Sequence, residues 1–162
     1  MPNWCSNYVV FEGTEHNITN LKTAIDSAIV RESETKQAQL IVGNEVKEGY
    51  FFELYIQDST ATTLVLTYET RWAPNQGDVA DVCKHFELTA EHEYDESGLQ
   101  VHGKTIYSAD GTYIDDAIPN EFLALIDYND DEDVYIYIPT GMQSTCKDDL
   151  IDEYYELWKA NK

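Results

Sequence analysis

The chain has 162 residues, 43% of them hydrophobic, which is enough to bury one sizeable core. Its 31 acidic and 10 basic residues give a net charge of −21, which disfavours direct binding to nucleic-acid phosphates or to anionic lipid surfaces. No apolar run approaches the roughly 18 residues of a membrane span, and the N-terminus lacks the basic and apolar regions of a signal peptide, so we expect the protein in the cytosol.

The N-terminal part of the chain predicts a strand followed by a helix. The segment from Trp4 to Phe11 is mostly β-branched or aromatic and is followed by Gly13, a composition typical of a strand. Thr14 or Asn17 then begins a helix that runs to about residue 31. Apolar residues recur along it at helical spacing and form one stripe that faces a core: Ile18, Leu21, Ile25, Ala28 and Ile29.

The next segments predict a hairpin, a second helix and a further strand. "QLIVGNEV" is consistent with a short strand and a turn around Gly43 and Asn44, and residues 50–57 and 63–72 alternate like two paired strands. After the sheet-breaking "APNQGD", a short helix is indicated by Val79, Val82, Cys83 and Phe86, and a strand through residues 88–94 follows. The order β-α-β-β-α-β predicts an α+β, ferredoxin-like fold, in which an antiparallel sheet has both helices on one face.

The remaining residues predict an extension of this core. "EYDESGLQVHG" predicts a hairpin that turns near Ser97 and Gly98, followed by a turn at Gly111 and a strand in "DVYIYIP". After Thr145, a closing amphipathic helix is indicated by Leu150, Ile151, Tyr154, Leu157 and Trp158. Since no Pro-rich or Ser-rich linker intervenes, we predict a ferredoxin-like core at 1–98 and a C-terminal strand and helix extension at 99–162, packed on the same body.

Residues with catalytic chemistry are scattered in the sequence. Cys5, Cys83 and Cys146 form no C-x-x-C pair and have no neighbouring His, so we expect three free thiols. The eight glycines form neither a G-x-G-x-x-G nor a Walker pattern, which gives no indication of a phosphate-binding loop. We therefore predict a protein with no catalytic residue and no cofactor.

A pair of histidines supports an alternative, a small-ligand or metal-binding module on the sheet face. If residues 96–98 form a three-residue loop, Asp95 faces Leu99 across neighbouring strands. His92 then faces His102, and two such imidazoles can hold a transition metal. A change of one residue in register separates the two side chains, and the sequence specifies no third ligand.

Carboxylates are concentrated in the C-terminal half, where residues 87–162 contain 19 acidic and 4 basic residues. We predict a patch that binds a basic protein surface, with Tyr135 and Tyr137 beside its carboxylates. These are Asp127, Asp130, Asp131, Glu132, Asp133, Asp148, Asp149, Asp152, Glu153 and Glu156. Regularly spaced carboxylates can imitate the phosphates of a duplex, so a nucleic-acid-binding enzyme is the expected class of partner. A solvated acidic face without a partner is the alternative.

Three short motifs occur in order along the chain, N-W-C-x-N, T-x-W-x-P and Y-x-E-x-G. Their residues are Asn3, Trp4, Cys5, Asn7, Thr70, Trp72, Pro74, Tyr94, Glu96 and Gly98. Together they resemble small phage- and plasmid-encoded proteins with a ferredoxin-like domain, a family similar to the plasmid protein YubB. The resemblance covers about residues 1–107 and departs from the family pattern at Asn75, where a second proline is commoner. It implies a mobile-element origin and transfers no catalytic residue.

The first motif also has a structural interpretation. We expect Trp4 to pack as a buried apolar anchor of the first strand, and Asn3 and Asn7 to bond to nearby backbone. With the acidic patch, the resemblance favours a non-catalytic interaction protein of a phage or mobile element in the host-cell cytosol. Its sharper form is a nucleic-acid-mimicking inhibitor of a restriction or CRISPR-type defence enzyme, and a structural or homodimeric phage protein is a further alternative.

Overall fold

The computed structural model describes residues 3–36, 39–43, 45–48, 51–96, 98 and 101–162. Its helices are α1 (Glu15–Thr35), α2 (Gln76–Phe86), α3 (Asn120–Leu123) and α4 (Lys147–Ala160). Its strands are β1 (Trp4–Glu12), β2 (Gln39–Val42), β3 (Glu45–Glu48), β4 (Phe52–Ser59), β5 (Thr63–Arg71), β6 (Thr89–Glu96), β7 (Val101–Tyr107), β8 (Tyr113–Ala117), β9 (Ile126–Asn129), β10 (Val134–Tyr137) and β11 (Met142–Ser144). Four residues with predicted positions in turns or strands lie outside the described residues: Asn44, Tyr50, Ser97 and Leu99.

A six-stranded antiparallel sheet has the strand order β4-β5-β1-β6-β7-β8. Four of its strands alternate with two helices along the chain as β1-α1-β4-β5-α2-β6, and their spatial order β4-β5-β1-β6 is that of a ferredoxin-like sheet. The predicted fold class is therefore confirmed. The hairpin β2–β3 is inserted between α1 and β4, where the sequence indicated a short strand and a turn, and Gly43 in that turn has a φ of 63°.

The side chains of each strand alternate between a face covered by helices and an open face. In β1 the odd-numbered residues from Cys5 to Phe11 are buried, while Trp4, Ser6 and Tyr8 are exposed. Both helices add apolar residues to one cluster with the buried strand residues, which confirms that they share a face. Its members include Val9, Phe11, Leu21, Ile25, Leu64, Leu66, Val79 and Val82. Burying each such Leu or Val contributes about 1.5–3 kcal/mol, so this cluster is the main source of stability for the sheet.

Helix α1 begins as predicted and ends later. Thr14 is the N-cap, and its Oγ1 accepts a hydrogen bond from the Asn17 N–H at 3.3 Å. The helix continues to Thr35, after which Lys36 adopts a left-handed conformation and donates its N–H to the Glu32 carbonyl. The last turn, "RESET", contains no apolar residue, so the apolar periodicity could not indicate it.

Strand β4 departs from the strict alternation predicted for residues 50–57. Its pairing with β5 is irregular next to Phe52, and Glu53 has a φ of 53°. The Glu53 N–H donates to a carboxylate oxygen of Glu32 at 2.8 Å, so a side chain of α1 holds this bulge. As a result Phe51 is buried in the core, while Phe52 is only half-buried.

The chain divides into two compact units, Met1–Ala117 and Ile118–Lys162. The sequence predicted a core that ends at residue 98, but β6 and β7 form one hairpin across that position and β8 continues the same sheet after the predicted turn at Gly111. The feature that suggested a boundary is thus internal to the sheet. The predicted packing of the C-terminal segment on the same body stays a prediction.

The second unit has an apolar core of its own, formed by Phe122, Leu123, Tyr137, Leu150, Ile151 and Tyr155. The predicted strand in "DVYIYIP" is β10, and the predicted closing helix is α4. Strand β10 is the central strand of a three-stranded sheet with the order β11-β10-β9. Leu157, placed by the sequence on the apolar stripe, is 58% exposed.

Candidate functional site

Five carboxylates lie along one side of α4, and all five are exposed: Asp148, Asp149, Asp152, Glu153 and Glu156. At 3.6 residues per turn they fall within about 140° of the helix circumference. The buried residues Leu150, Ile151 and Tyr155 fall on the remaining side. Because that side packs in the core of the second unit, the acidic side is presented to solvent.

A second group of exposed carboxylates lies at and beside the β9–β10 turn: Asp127, Asp130, Asp131, Glu132 and Asp133. The Asp131 N–H donates to the Asn129 side chain at 3.1 Å, and Asp133 has a φ of 56°. The Tyr128 hydroxyl donates to the Asp133 carboxylate, and this hydrogen bond raises the pKa of Tyr128 to about 12. Local hydrogen bonds therefore hold four consecutive acidic residues at one turn.

The two acidic groups flank β11. Gln143 donates from Nε2 to a carboxylate oxygen of Glu132 at 3.4 Å. Ser144 donates from Oγ to a carboxylate oxygen of Asp149 at 2.6 Å. Because Gln143 and Ser144 are consecutive, the two groups are neighbours on one unit. We call the ten carboxylates together the acidic patch; its role as a binding surface stays a prediction.

The second unit has few cations to offset this charge. Residues 118–162 contain eleven acidic residues and three lysines, which gives a net charge of −8. Lys159 pairs with Glu156 at 2.6 Å, and Lys162 pairs with Glu121 at 2.5 Å. These pairs are solvent-exposed and add little to stability, and most of the acidic patch keeps its negative potential.

The two tyrosines predicted beside the patch differ in burial. Tyr135 is half-buried and its ring centroid lies 4.9 Å from that of Tyr128. Tyr137 is only 7% exposed, and its ring stacks on Tyr154 at 4.3 Å. The prediction that Tyr137 contacts a partner is therefore wrong, because its ring is part of the core.

The predicted pairing of His92 with His102 is also wrong. Strands β6 and β7 are paired so that His92 lies opposite Thr105 and His102 lies opposite Asp95. The loop between the paired strands has four residues rather than three, and the register differs from the predicted one by an odd number of residues. The two imidazoles consequently lie on opposite faces of the sheet and cannot share a metal. Within the described residues, no group of three or more His, Cys, Asp or Glu side chains is arranged to hold a metal ion.

His92 is instead a fully buried residue on the helix-covered face. Its Nε2 lies 2.9 Å from Asn7 Oδ1, and its Nδ1 lies 3.2 Å from the Tyr107 hydroxyl. The Asn7 amide donates to the Cys5 carbonyl at 2.8 Å and to Thr70 Oγ1 at 3.0 Å, which turns its oxygen toward His92 and makes Nε2 the protonated nitrogen. Burial lowers the pKa of His92 to about 4, so the ring is neutral at pH 7.

The three sequence motifs lie on the adjacent strands β5, β1 and β6 and meet at one end of the sheet. The Trp72 N–H donates to the Asn3 carbonyl at 3.0 Å, and the Gly98 N–H donates to the Glu96 carboxylate at 3.0 Å. A Cβ on Gly98 would lie 2.5 Å from the Asn3 side chain, so only glycine fits there without a shift. The motifs thus have a structural explanation as a set of strand-end contacts.

Other motif residues support the same interpretation, with one exception. The Tyr94 hydroxyl donates to the Asp115 carboxylate at 2.8 Å, and burial raises the pKa of the Cys5 thiol to about 11. The prediction that Trp4 is buried is wrong, because its side chain is 43% exposed on the open face. Cys5 and Asn7, not Trp4, are the residues of this motif that lie on the buried face of β1.

A family model described as the ferredoxin-like domain in Api92-like protein matches residues 51–139, which is more than half of the chain. The chain belongs to the Api92-like family. No curated protein and no solved structure matches it. The matched segment of this Api92-like protein runs from β4 through β10, so it contains the second and third motifs and the β9–β10 turn. The α4 carboxylates and the first motif lie outside it.

The described part of this Api92-like protein contains no helix that is both long and apolar enough to cross a membrane. The sequence patterns did not indicate a cavity of about 460 Å³ at the open sheet face, which is lined by residues of β1, β4 and β5 and by Glu32 of α1. Trp4 and Ser6 are two residues apart on β1, and Glu69 lies opposite Ser6 on β5, so the three side chains share one face of the sheet. The sequence could not place Phe52 beside this cavity, because the alternation of apolar residues does not indicate the position of a bulge such as that in β4.

Proposed function

We propose that the protein is a non-catalytic, strongly acidic interaction protein that binds a basic protein surface. The observation that carries this proposal is the acidic patch, in which ten exposed carboxylates lie on one side of α4 and at the neighbouring β9–β10 turn. The partner class is a nucleic-acid-binding enzyme of a restriction or CRISPR-type defence system, whose basic groove the patch occupies in place of nucleic acid.

The charge density of α4 supports mimicry of nucleic acid. From Asp148 to Glu156 the helix rises about 12 Å and presents five carboxylates. A duplex of that length carries about seven phosphate charges, since its axial spacing is about 1.7 Å per charge. The carboxylates of the β9–β10 turn add further negative charges, so the number of charges on the patch is comparable with that of a duplex of this length. A rigid helix also holds its charges at fixed spacing, which favours recognition by a groove built for a rigid duplex.

The proposed origin of the protein is a mobile element, and its proposed compartment is the cytosol of a host cell. The three motifs resemble the phage- and plasmid-encoded proteins similar to YubB, and we infer a mobile-element origin from that resemblance. The cysteines support action in the reducing cytosol of a host cell, because all three are free thiols and Cys146 is exposed. A hydrolytic or redox role receives no such support, since the histidines and the buried cysteines have structural contacts.

The test compares two variants of equal charge. In the first, four carboxylates of the acidic patch are neutralised as Asp148→Asn, Asp152→Asn, Glu153→Gln and Glu156→Gln. In the control, four exposed carboxylates of the first unit are neutralised as Glu12→Gln, Glu34→Gln, Asp58→Asn and Glu87→Gln. Both variants have the same net charge, so a difference between them reports position rather than total charge.

Each tagged protein is used to capture partners from extracts of host cells, and captured proteins are then assayed for duplex binding. We expect a basic, DNA-binding partner that duplex DNA displaces and that added salt releases. Its affinity should fall about tenfold or more for the patch variant, a loss of about 1.4 kcal/mol, and less than about twofold for the control. Equal affinities for both variants, or a partner that DNA does not displace, would contradict the proposal.

A further inference from the structure

The open face of the first unit contains a cavity with a chemistry distinct from that of the acidic patch. Its volume is about 460 Å³, and it is lined by Trp4, Ser6, Glu32, Phe52, Glu53 and Glu69. The Trp4 and Phe52 rings meet edge to face, with centroids 5.2 Å apart and planes at 73°. Two aromatic rings and three carboxylate side chains therefore surround one space, a combination that suits a cation with an apolar body.

The Glu69 carboxylate is incompletely satisfied. Its Oε1 accepts a hydrogen bond from the Ser6 hydroxyl at 3.0 Å. Its Oε2 is buried and has no hydrogen-bond partner among the described residues. A buried carboxylate oxygen without a donor is unfavourable, because it has lost its water and received nothing in exchange. If a rotation of the Glu69 side chain turned Oε2 into the cavity, a charged N–H group there would supply the missing donor.

Arg71 shows that these rings attract a guanidinium. Its Cζ lies 4.9 Å from the Phe52 ring centroid and 5.7 Å from the Trp4 ring centroid. Arg71 follows Glu69 on the same face of β5, yet its guanidinium packs on the rings and leaves Glu69 Oε2 without a partner. Arg71 is not among the residues that line the cavity, so the ring surfaces that Trp4 and Phe52 present to the cavity are left for a ligand together with the Glu69 carboxylate.

We propose that this cavity binds an organic cation, a guanidinium or alkylammonium group at the end of an apolar chain. The charged N–H groups donate to the Glu69 carboxylate, and the apolar chain packs against the Trp4 and Phe52 rings. The ligand is either a small free cation or an Arg or Lys side chain of a protein. This site is independent of the acidic patch, which lies in residues 118–162.

The test is an NMR titration of the full chain with ethylguanidinium and, in parallel, with its neutral isostere ethylurea. We expect ethylguanidinium to shift the Trp4 indole N–H and the backbone N–H groups of Ser6 and Phe52, whereas ethylurea at the same concentration leaves them unchanged. Glu69→Gln should weaken binding about tenfold, which is the expected loss of one charge-assisted hydrogen bond. The matched control Glu93→Gln, an exposed carboxylate on the open face of β6, should change affinity less than about twofold.

Two further arms separate the alternatives. Glu53→Gln alters an exposed side chain of the cavity and leaves the half-buried Glu69 side chain in place, so weaker binding by this variant also supports the site. Agmatine and the peptide acetyl-Gly-Arg-Gly-amide then compare a free cation with a protein side chain, and binding of either supports the shared chemistry. Equal binding of ethylurea, unchanged affinity of both Glu69→Gln and Glu53→Gln, or shifts confined to α4 would overturn the proposal. The patch variant should retain ethylguanidinium binding, so the two proposals fail separately.

Discussion

Acidification should destabilise the first unit through one buried side chain, His92. Its ring is fully buried and neutral, with a pKa of about 4 in the folded protein, whereas an imidazole in an unfolded chain has its ordinary value of 6.5. Between pH 6.5 and pH 4 the unfolded chain therefore binds a proton that the folded chain does not. Stability falls as the pH falls through this window, by about 2 kcal/mol at pH 5 and about 3 kcal/mol at pH 4.

The measurement has to separate His92 from the other groups that titrate in the same range. The protein has 31 acidic residues, and their protonation also changes stability as the net charge decreases. We therefore compare the wild type with His92→Gln, which keeps an N–H donor near Asn7 and does not titrate. His16→Gln, a change at an exposed histidine of α1, is the matched control. The free energy of unfolding is measured with urea at pH 7.5, 6.0 and 5.0.

The stability difference between wild type and His92→Gln should shrink by about 2 kcal/mol from pH 7.5 to pH 5.0, because only the wild type loses stability through residue 92. A smaller change for the control His16→Gln would assign the effect to residue 92. The reasoning would be refuted if the stability difference between wild type and His92→Gln were independent of pH. It would also be refuted if the His92 imidazole titrated near pH 6.5 in NMR spectra.

Three substitutions test the packing of the two units, each by urea or thermal unfolding. Gly103→Ala places a Cβ 2.8 Å from the backbone Cα of Ala117 on β8, so it should destabilise by about 1–3 kcal/mol, and a neutral effect would mean that β8 can move away. Thr14→Ala removes the N-cap hydrogen bond of α1 and should cost about 1 kcal/mol, whereas Thr14→Ser should retain most of it. Tyr137→Ala empties a core position of the second unit and should cost about 3–5 kcal/mol, and a loss below 1 kcal/mol would contradict its burial.

The elements that the sequence located correctly depend on local patterns. Ile18, Leu21 and Ile25 recur at helical spacing, and the structure places all three in the core. The order of strands and helices followed from such patterns, and the ferredoxin-like order of the sheet followed from the order of elements. The acidic side of α4 could be found in the same way, because the helical repeat alone decides which residues share a side.

The features that the sequence did not locate depend on cross-strand register. The β6–β7 loop is one residue longer than predicted, which separated His92 from His102 and placed Asp95 opposite His102. The bulge at Glu53 is held by a carboxylate from α1, 21 residues earlier in the chain, so no pattern within β4 could reveal it. Trp4 was misplaced for a simpler reason, since a strand's apolar residues can line either face and only the tertiary structure decides which face is covered.

The two proposed binding sites should differ in their sensitivity to substitution, because one consists of many exposed carboxylates and the other depends on a single one. The acidic patch is built from exposed side chains on an amphipathic helix and a turn, so removal of any one carboxylate should change affinity a little and stability hardly at all. The cavity depends on Glu69, which shares a hydrogen bond with Ser6 and has a buried oxygen without a donor. A ligand that supplies that donor should stabilise the first unit as well as bind it, because it satisfies a group that the free protein leaves unsatisfied. Ethylguanidinium at a saturating concentration should therefore raise the urea midpoint of the wild type more than that of Glu69→Gln, which binds the ligand about tenfold more weakly.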